Sequence, residues 1–544
     1  MRKCSPSQTP PPLSYACFCV GFPSHRIWAM ENDSPSSPDK TQKHFWKILL
    51  LIVSLAATVR VGAILLWQPV ISRDGVEYLR AARLYAQGQY KQALKHYYPP
   101  GYPALVALGY GKHLELWARL VNILAQLALI ILIAYSLRPE GPQIALQTSL
   151  LIAIFPYGIR YSIRVLSDSL FASLLLGSWA LLYQAWQSKK KSLYLAIGSM
   201  TCYGYLVRPE GILALLFFSA WTLIQEKKPW TCLLYLWIPS LLLVLPYLMW
   251  IKQNQGLYGA QPGSWKLTLK RNILQTTTAK TFLQSPNLQN FLNFLKKTAY
   301  NLYKNTLYLV EMCYLPLFLL GTLGLLSTPS PRRKYLLALL LFLCLFQGMF
   351  ALFRADKRLT FQLAMLWILP MPWGIKRIWP TVRKHLPHPS LAWPLLLAIT
   401  LPVGLRPLGT DKQYLKQGGE YLLQIAGKSN LIGPDARLGY YAQAKTFQIL
   451  SIYSPTHFAL HSPTQGLYLQ KLNMNKQAQL FYSSLHSFLQ KSKITWIFLP
   501  TQYLPPQKPQ TWLKKQGFQL QKIFWNPQKT RGVFLLKLLR GNPF

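Results

Sequence analysis

Residues 47–70, KILLLIVSLAATVRVGAILLWQPV, form an apolar run whose length matches the hydrocarbon core of a bilayer. The run contains no acidic residue, and Arg60 is the one charge in its interior. Similar runs recur along the chain, in which 51% of the 544 residues are hydrophobic. A protein made only of soluble domains does not need so many long apolar segments. We therefore predict a mostly α-helical, polytopic membrane protein.

The apolar runs predict about eleven transmembrane helices. We place them at residues 47–70, 115–137, 141–160, 165–186, 192–207, 211–225, 230–251, 306–326, 335–353, 358–375 and 389–405. Short basic groups precede the first of these spans and follow the fourth, sixth, eighth and tenth. All these groups then lie on one side, which the positive-inside rule makes cytoplasmic. We predict a multi-pass protein of the inner (cytoplasmic) membrane of a bacterium, with a cytoplasmic N-terminus.

Hydrophilic segments flank the predicted membrane domain at residues 47–405. Residues 1–46 are rich in Pro and Ser near their start, and we predict a disordered cytoplasmic segment whose true start is Met30. Residues 406–544 mix strand-like apolar runs with polar helical stretches. This mixture predicts a small α/β domain, which the topology places on the exoplasmic, or periplasmic, side.

The formal net charge of +44 comes from Lys and Arg spread over nearly every hydrophilic segment. Because they are not gathered on one arm or face, we do not expect nucleic acid as a partner. Membrane lipids with anionic head groups, phosphates or an acidic polymer suit this distribution better. The seven cysteines show no metal-ligand spacing and no disulfide framework.

Residues 72–103, SRDGVEYLRAARLYAQGQYKQALKHYYPPGYP, follow the first apolar run and open with two carboxylates, Asp74 and Glu77. Only 15 of the 544 residues are acidic. A carboxylate at the mouth of a membrane span is costly and usually has a chemical task. The predicted topology places Asp168 and Glu210 on the same side as Asp74. We therefore expect the chemistry on the exoplasmic side.

The order of these motifs resembles the GT-C superfamily of membrane glycosyltransferases, in the group of protein O-mannosyltransferases and aminoarabinose transferases. The resemblance covers residues 47–405. It is carried by the acid after the first span, PPGYPAL at 99–105, SIRVLSDSL at 162–170, LVRPEG at 206–211 and KRLTFQLAMLWILP at 357–370. It implies an enzyme that transfers a hexose or a pentose from a polyprenyl-phosphate carrier to an envelope lipid, glycan or protein.

The resemblance implies that Asp74 is the catalytic base, although an Asp at this place can instead cap the following helix. Glu77 lies one helical turn on, where it can assist or complete a capping box. Asp168 matches the second acidic position of the superfamily, and its alternative is an N-cap together with Ser167. Two such carboxylates can orient the acceptor or hold a divalent metal ion, and both interpretations stay open.

Cationic residues are the candidates for binding the donor phosphate. Arg60 lies within the first span, where burial demands a partner, for which we consider Asp168 or Glu311. Arg358 is the preferred phosphate ligand by resemblance, and Arg208 is the next, because a guanidinium suits bidentate phosphate binding. The other candidates are Lys95, His96 and Arg354. For each arginine at the membrane boundary, anchoring to lipid head groups is the alternative.

Two other function classes fit parts of the pattern. A transporter or flippase of lipid-linked sugars needs charged groups through both leaflets, whereas these carboxylates gather on one side. A ligase or polymerase of envelope glycans relies on a large loop between late spans rather than on an acid after the first span.

Overall fold

The structure is a computed structural model. It describes residues 38–67, 69–94, 98–109, 113–255, 288–327, 330–353, 355–385, 392–405, 412–452, 454, 456–461, 474–492, 494–504 and 509–539. The predicted disordered segment lies mostly outside these residues. Helix α1 begins at Pro38, so residues 38–46 are helical rather than disordered.

Helices account for nearly all regular structure up to residue 255. In chain order they are α1 Pro38–Trp67, α2 Arg73–Ala86, α3 Tyr90–Leu94, α4 Gly101–Ala107, α5 Leu114–Leu137, α6 Pro142–Ile154, α7 Pro156–Ser162, α8 Asp168–Ser188, α9 Ser192–Val207, α10 Gly211–Gln225, α11 Pro229–Pro239 and α12 Leu245–Gln255. Helices α6, α7 and α11 each begin at a proline, which lacks the N–H that a first turn leaves unbonded.

The second part of the membrane domain is also helical. It comprises α13 Leu288–Cys313, α14 Leu315–Ser327, α15 Ser330–Phe353, α16 Lys357–Leu366, α17 Met371–His385 and α18 Ala392–Gly404. The predicted span at 306–326 is wrong in one respect, because the chain turns by 102° between α13 and α14. Tyr314, with φ of 59°, forms this break. The predicted span at 358–375 is likewise split, by a turn between α16 and α17.

The prediction of eleven spans is not confirmed. Within the described ranges, four helices are long and apolar enough to cross a membrane, or up to six if each bent pair counts as one span. The single helices correspond to α1, α5, α8 and the stretch from α11 to α12. Helices α9 and α10 have the predicted bounds but only 16 and 15 residues. Hydropathy located these apolar segments well, yet it does not register where a helix breaks or ends early.

Two kinds of contact hold the membrane helices together. Helices α14 and α17 approach closely through glycines, since a Cβ built on Gly324 would lie 1.8 Å from the Pro370 carbonyl oxygen. Small residues allow such close backbone approach in membrane proteins. Elsewhere Trp179 of α8 is fully buried and makes edge-on contacts with Phe218 and Phe342. The core of the membrane domain thus centres on α8.

The C-terminal part is a small domain of helices and strands, as predicted. It contains α19 Gln413–Ala426, β1 Asn430–Gly433, α20 Ala436–Tyr441, β2 Thr446–Ile452, β3 Phe458–His461, α21 Met474–Lys491, β4 Trp496–Pro500, α22 Pro509–Lys515, β5 Phe518–Trp525 and β6 Gly532–Leu538. The sheet order is β3-β2-β1-β4-β6-β5, and only the pairs β1/β2 and β1/β4 are parallel. Its exoplasmic location stays a prediction.

Helix α2 lies between the membrane helices and the C-terminal domain. Arg73 at its start donates to Asp435 of the C-terminal domain over 3.0 Å. The backbone N–H of Ile71 donates to the Tyr441 hydroxyl over 3.1 Å. Both contacts are made by residues just before Asp74 in the chain, so the C-terminal domain takes part in positioning that carboxylate.

Candidate active site

Asp74 lies in the first turn of α2, and Ser72 rather than Asp74 caps this helix. The Ser72 hydroxyl accepts a hydrogen bond from the Gly75 N–H over 2.9 Å. The capping alternative for Asp74 is therefore wrong, and its carboxylate is available for other contacts. It accepts hydrogen bonds from Arg358 and from the Tyr98 hydroxyl. The Asp74 side chain remains 29% exposed, so a substrate can reach it.

Asp168 begins α8 and is fully buried. Its Oδ2 accepts from Nε and Nη2 of Arg358, at 3.2 and 2.9 Å. Its Oδ1 accepts from Nη1 of Arg208 over 2.5 Å. A buried carboxylate is stable only when charges and donors compensate for lost hydration, and two guanidinium groups do so here.

Arg358 and Arg208 are held by the local structure around them. Asp356 caps α16 by accepting from the Arg358 backbone N–H over 2.8 Å, which fixes the start of that helix. Arg208 follows α9 and donates to Glu210 over 3.3 and 3.0 Å. The RPEG motif at 208–211 forms the turn that separates α9 from α10.

These five residues form one continuous charged chain in the order Asp74, Arg358, Asp168, Arg208 and Glu210. Four of the nine predicted site residues belong to this charged chain, namely Asp74, Asp168, Arg208 and Arg358. They come from distant parts of the sequence and were expected to share a site. Arg358 and Arg208 each donate three of their five guanidinium N–H groups to described residues. Within the part of the chain that the structure describes, the other two N–H groups of each arginine make no hydrogen bond.

Aromatic side chains border the charged chain. The Tyr78 hydroxyl lies 2.8 Å from the Ser167 hydroxyl, and the Tyr78 ring packs 4.5 Å from that of Tyr98. Tyr161 stacks on Phe361 at 4.2 Å. Burial, reinforced by the Asp74 charge, raises the pKa of Tyr98 well above its ordinary value. Tyr98 is therefore a neutral hydrogen-bond donor to Asp74.

The structure places two predicted site residues away from this chain. Glu77 is buried and pairs with Arg80 at 3.5 Å, and burial raises the pKa of its carboxyl group. It does not occupy the third helical position that a capping box requires, because Ser72 is the N-cap. Glu77 thus neither caps α2 nor joins the charged chain.

Arg60 is fully buried within α1. Its guanidinium donates to the Gln126 side chain at 2.7 and 3.1 Å and to the carbonyls of Ala56 and Ala153. The expected partners Asp168 and Glu311 are wrong, since neutral oxygens accept these hydrogen bonds. Gln126 in turn donates to Ser169, next to Asp168, over 3.0 Å. Arg60 is thus connected through Gln126 to the first turn of α8.

Three further predicted residues, Lys95, His96 and Arg354, lie outside the described residues. Sequence reasoning also missed two members of the site. Glu210 was predicted on the same side as Asp74 but not as the partner of Arg208, two positions away. Tyr98 directly precedes the paired prolines, and this position was the available signal.

A divalent metal does not fit the charged chain as the structure has it. The guanidinium of Arg358 lies between the Asp74 and Asp168 carboxylates, where a bridging metal would need to bind. No cluster of three or more His, Cys, Asp or Glu with metal-binding geometry occurs among the described residues. The positive charge between the two carboxylates is supplied by the protein itself.

Comparison with known proteins agrees with this architecture. Residues 98–250 match the family model described as dolichyl-phosphate-mannose-protein mannosyltransferase. A search of curated protein sequences found no match. The family match thus covers the segment from Tyr98 through Asp168 and Arg208 and ends within α12.

Solved structures share the fold across most of the chain. ArnT from Cupriavidus metallidurans, bound to undecaprenyl phosphate, is 14% identical with a TM-score of 0.55, over 89% of this chain and 97% of that one. The Archaeoglobus fulgidus oligosaccharyltransferase with Zn and sulfate is 13% identical with a TM-score of 0.55, over 89% and 72%. The same enzyme tethered to an acceptor peptide gives 12% and 0.53, over 90% and 74%.

The chain therefore shares its fold with ArnT and with the oligosaccharyltransferase, and in this chain a helical domain is followed by a small sheet domain. The resemblance to the GT-C superfamily that the motifs predicted is confirmed.

Proposed function

We propose that this protein transfers a sugar from a polyprenyl-phosphate carrier to an envelope lipid or glycan on the exoplasmic side of the cytoplasmic membrane. The observation that carries this proposal is the charged chain, in which the accessible Asp74 carboxylate pairs with the Arg358 guanidinium, and Asp168 links Arg358 to a second guanidinium, that of Arg208. Sugar transfer from a lipid phosphate needs a base for the attacking hydroxyl and a binding site for the leaving phosphate.

In the proposed reaction, the acceptor hydroxyl attacks the anomeric carbon of the donor sugar. Asp74 takes the hydroxyl proton as the new C–O bond forms. The bond between the sugar and the phosphate oxygen breaks, and the polyprenyl phosphate leaves with the electron pair. The remaining N–H groups of Arg358 and Arg208 stabilise the charge on the leaving phosphate. Tyr98 holds the Asp74 carboxylate in place between turnovers.

An apolar cavity supports a lipid-linked donor. It has a volume of about 430 Å³ and lies between α4, α5, α8 and α9, with Ser173 as a polar exception among apolar lining residues such as Leu129 and Leu170. Ser173 is five residues after Asp168 on α8, or roughly 8 Å along the helix axis. A prenyl chain in this cavity would have its phosphate near Asp168 and its arginine partners. The bound undecaprenyl phosphate of ArnT is consistent with such a donor.

The test is sugar transfer by the purified protein in liposomes that contain a polyprenyl-phosphate hexose or aminopentose and extracted envelope lipids. We expect Asp74→Asn to slow transfer by about 10²–10⁴-fold, because it removes the base but keeps the shape. The matched control is Glu420→Gln, which neutralises a half-exposed carboxylate far along the chain. Equal transfer by Asp74→Asn and wild type refutes the proposal. Donor that crosses the bilayer without covalent transfer would support a flippase instead.

A further inference from the structure

A second polar cavity lies between α2 and the C-terminal domain, and its volume is about 390 Å³. Four cationic side chains line it: Arg80 and Arg83 from α2, and Lys428 and Lys445 from the C-terminal domain. Lys428 and Lys445 precede the parallel strands β1 and β2, so the sheet brings them to one edge. No acidic residue is among the described lining residues. We call these four residues the cationic pocket.

The carboxylates of the neighbouring helices neutralise this charge only in part. Glu77 approaches Arg80 at 3.5 Å from within the protein, and Glu115 is engaged by Arg119. Arg83 lies over the Tyr440 ring at 5.3 Å. Like charges from two domains that converge on one cavity repel each other, and an anion in the cavity removes this cost.

The cavity has the size and the groups for more than a simple ion. Its volume is within the range of small-molecule sites and accommodates a sugar unit with a phosphate. Guanidinium groups bind phosphate oxygens in a bidentate manner. The Gln443 amide and Tyr440 also line the cavity and offer polar atoms to sugar hydroxyls.

The cationic pocket and the charged chain lie on opposite faces of α2. Val76, Arg80 and Arg83 line the pocket and follow the i, i+4, i+7 spacing of one helix face. Asp74 and Tyr78 occupy the other face, toward Arg358 and Ser167. A ligand in the pocket is thus separated from Asp74 by the helix itself, which is about 10 Å across.

We infer that the cationic pocket binds a phosphorylated saccharide and thereby holds the acceptor by a phosphate remote from the reacting hydroxyl. The identity of this ligand as an acceptor rests on the proposed function, whereas its binding does not. The two sites on α2 would then bind two parts of one acceptor. The charged chain would bind the reacting hydroxyl on one face of the helix, and the cationic pocket would bind the phosphate on the other.

The experiment is a titration of the full-length protein in detergent with glucose 6-phosphate, glucose and inorganic phosphate, followed by calorimetry. We expect glucose 6-phosphate to bind wild type, and the double variant Arg83→Gln/Lys445→Gln to bind it about 10- to 100-fold more weakly, since two charge-assisted hydrogen bonds are lost. The control, Lys190→Gln/Lys191→Gln, removes the same charge from the exposed link between α8 and α9. It should bind as wild type does.

Each result has a defined meaning. Equal weakening in the control variant would show a general charge effect and overturn the proposal, as would undiminished binding by the pocket variant. Inorganic phosphate that binds as tightly as glucose 6-phosphate would overturn the saccharide part. Asp74→Asn should retain glucose 6-phosphate binding. If Asp74→Asn also transfers sugar at the wild-type rate, the proposed function fails while the pocket stands.

Discussion

Asp168→Asn is the perturbation that most directly tests how the charged chain works. The substitution keeps the side-chain shape and removes a buried negative charge that accepts from Arg358 and Arg208. Hydrogen bonds to a charged group contribute about 1.5–3 kcal/mol each. Because Asp74 still pairs with Arg358 and Glu210 with Arg208, the net loss is smaller than the sum. We expect about 2–3 kcal/mol in the transition state, or about 30- to 150-fold in kcat/KM.

A double-mutant cycle separates this effect from general damage. Asp168→Asn, Arg208→Gln and the combined variant are compared with wild type by release of polyprenyl phosphate in a single turnover. Direct contact at 2.5 Å predicts a coupling of about 1–3 kcal/mol between the two residues. Thermal unfolding in detergent checks that each variant is folded. Additive single effects, or full activity of Asp168→Asn, would refute the role assigned to this ion pair.

Three other substitutions probe the surroundings of the site. Burial raises the pKa of Glu77, so the folded protein keeps this proton at a higher pH than the unfolded chain does. The free energy of unfolding therefore falls as pH rises from the unfolded pKa of Glu77 through its higher folded pKa. Glu77→Gln should abolish this part of the fall when thermal unfolding is measured from about pH 4 to pH 8; an unchanged profile would contradict it. Gly75→Ala places a Cβ 2.8 Å from a backbone carbonyl oxygen and should displace α2 at a cost of about 1–3 kcal/mol. Transfer by Gly75→Ala should fall, whereas Gly62→Ala, whose Cβ meets no atom within 4 Å in the described part of the chain, should transfer normally. Asp435→Asn weakens the contact of the C-terminal domain with α2, so amide hydrogen exchange at residues 73–80 should become faster, and unchanged exchange would count against that contact.

The candidate site was predictable from the sequence to the extent that motif order carries information. Asp74, Asp168, Arg208 and Arg358 were expected on one side, and the structure brings them into one chain of ion pairs. Partner choice was not predictable, because it depends on side-chain geometry across helices. Arg60 illustrates this, since hydropathy demanded a partner but could not indicate the Gln126 amide.

The fold class was predictable for a similar reason, whereas the number of spans was not. Composition and apolar runs indicate helices in a membrane, and the bounds of α9 and α10 agree with the prediction. A hydropathy average over many residues does not register one residue with positive φ. The break at Tyr314 therefore escaped notice, although it divides one apolar run into two helices that differ in direction by 102°.

The position of α2 between two domains has a consequence for protein engineering. Asp74 lies in the same turn as Arg73, which the C-terminal domain holds through Asp435. In a chimera that exchanges residues 412–539 with those of a relative, α2 would face a C-terminal domain with different contact residues. We expect such exchanges to retain activity only when residues 69–86 are transplanted together with the C-terminal domain, so the functional module is discontinuous in sequence.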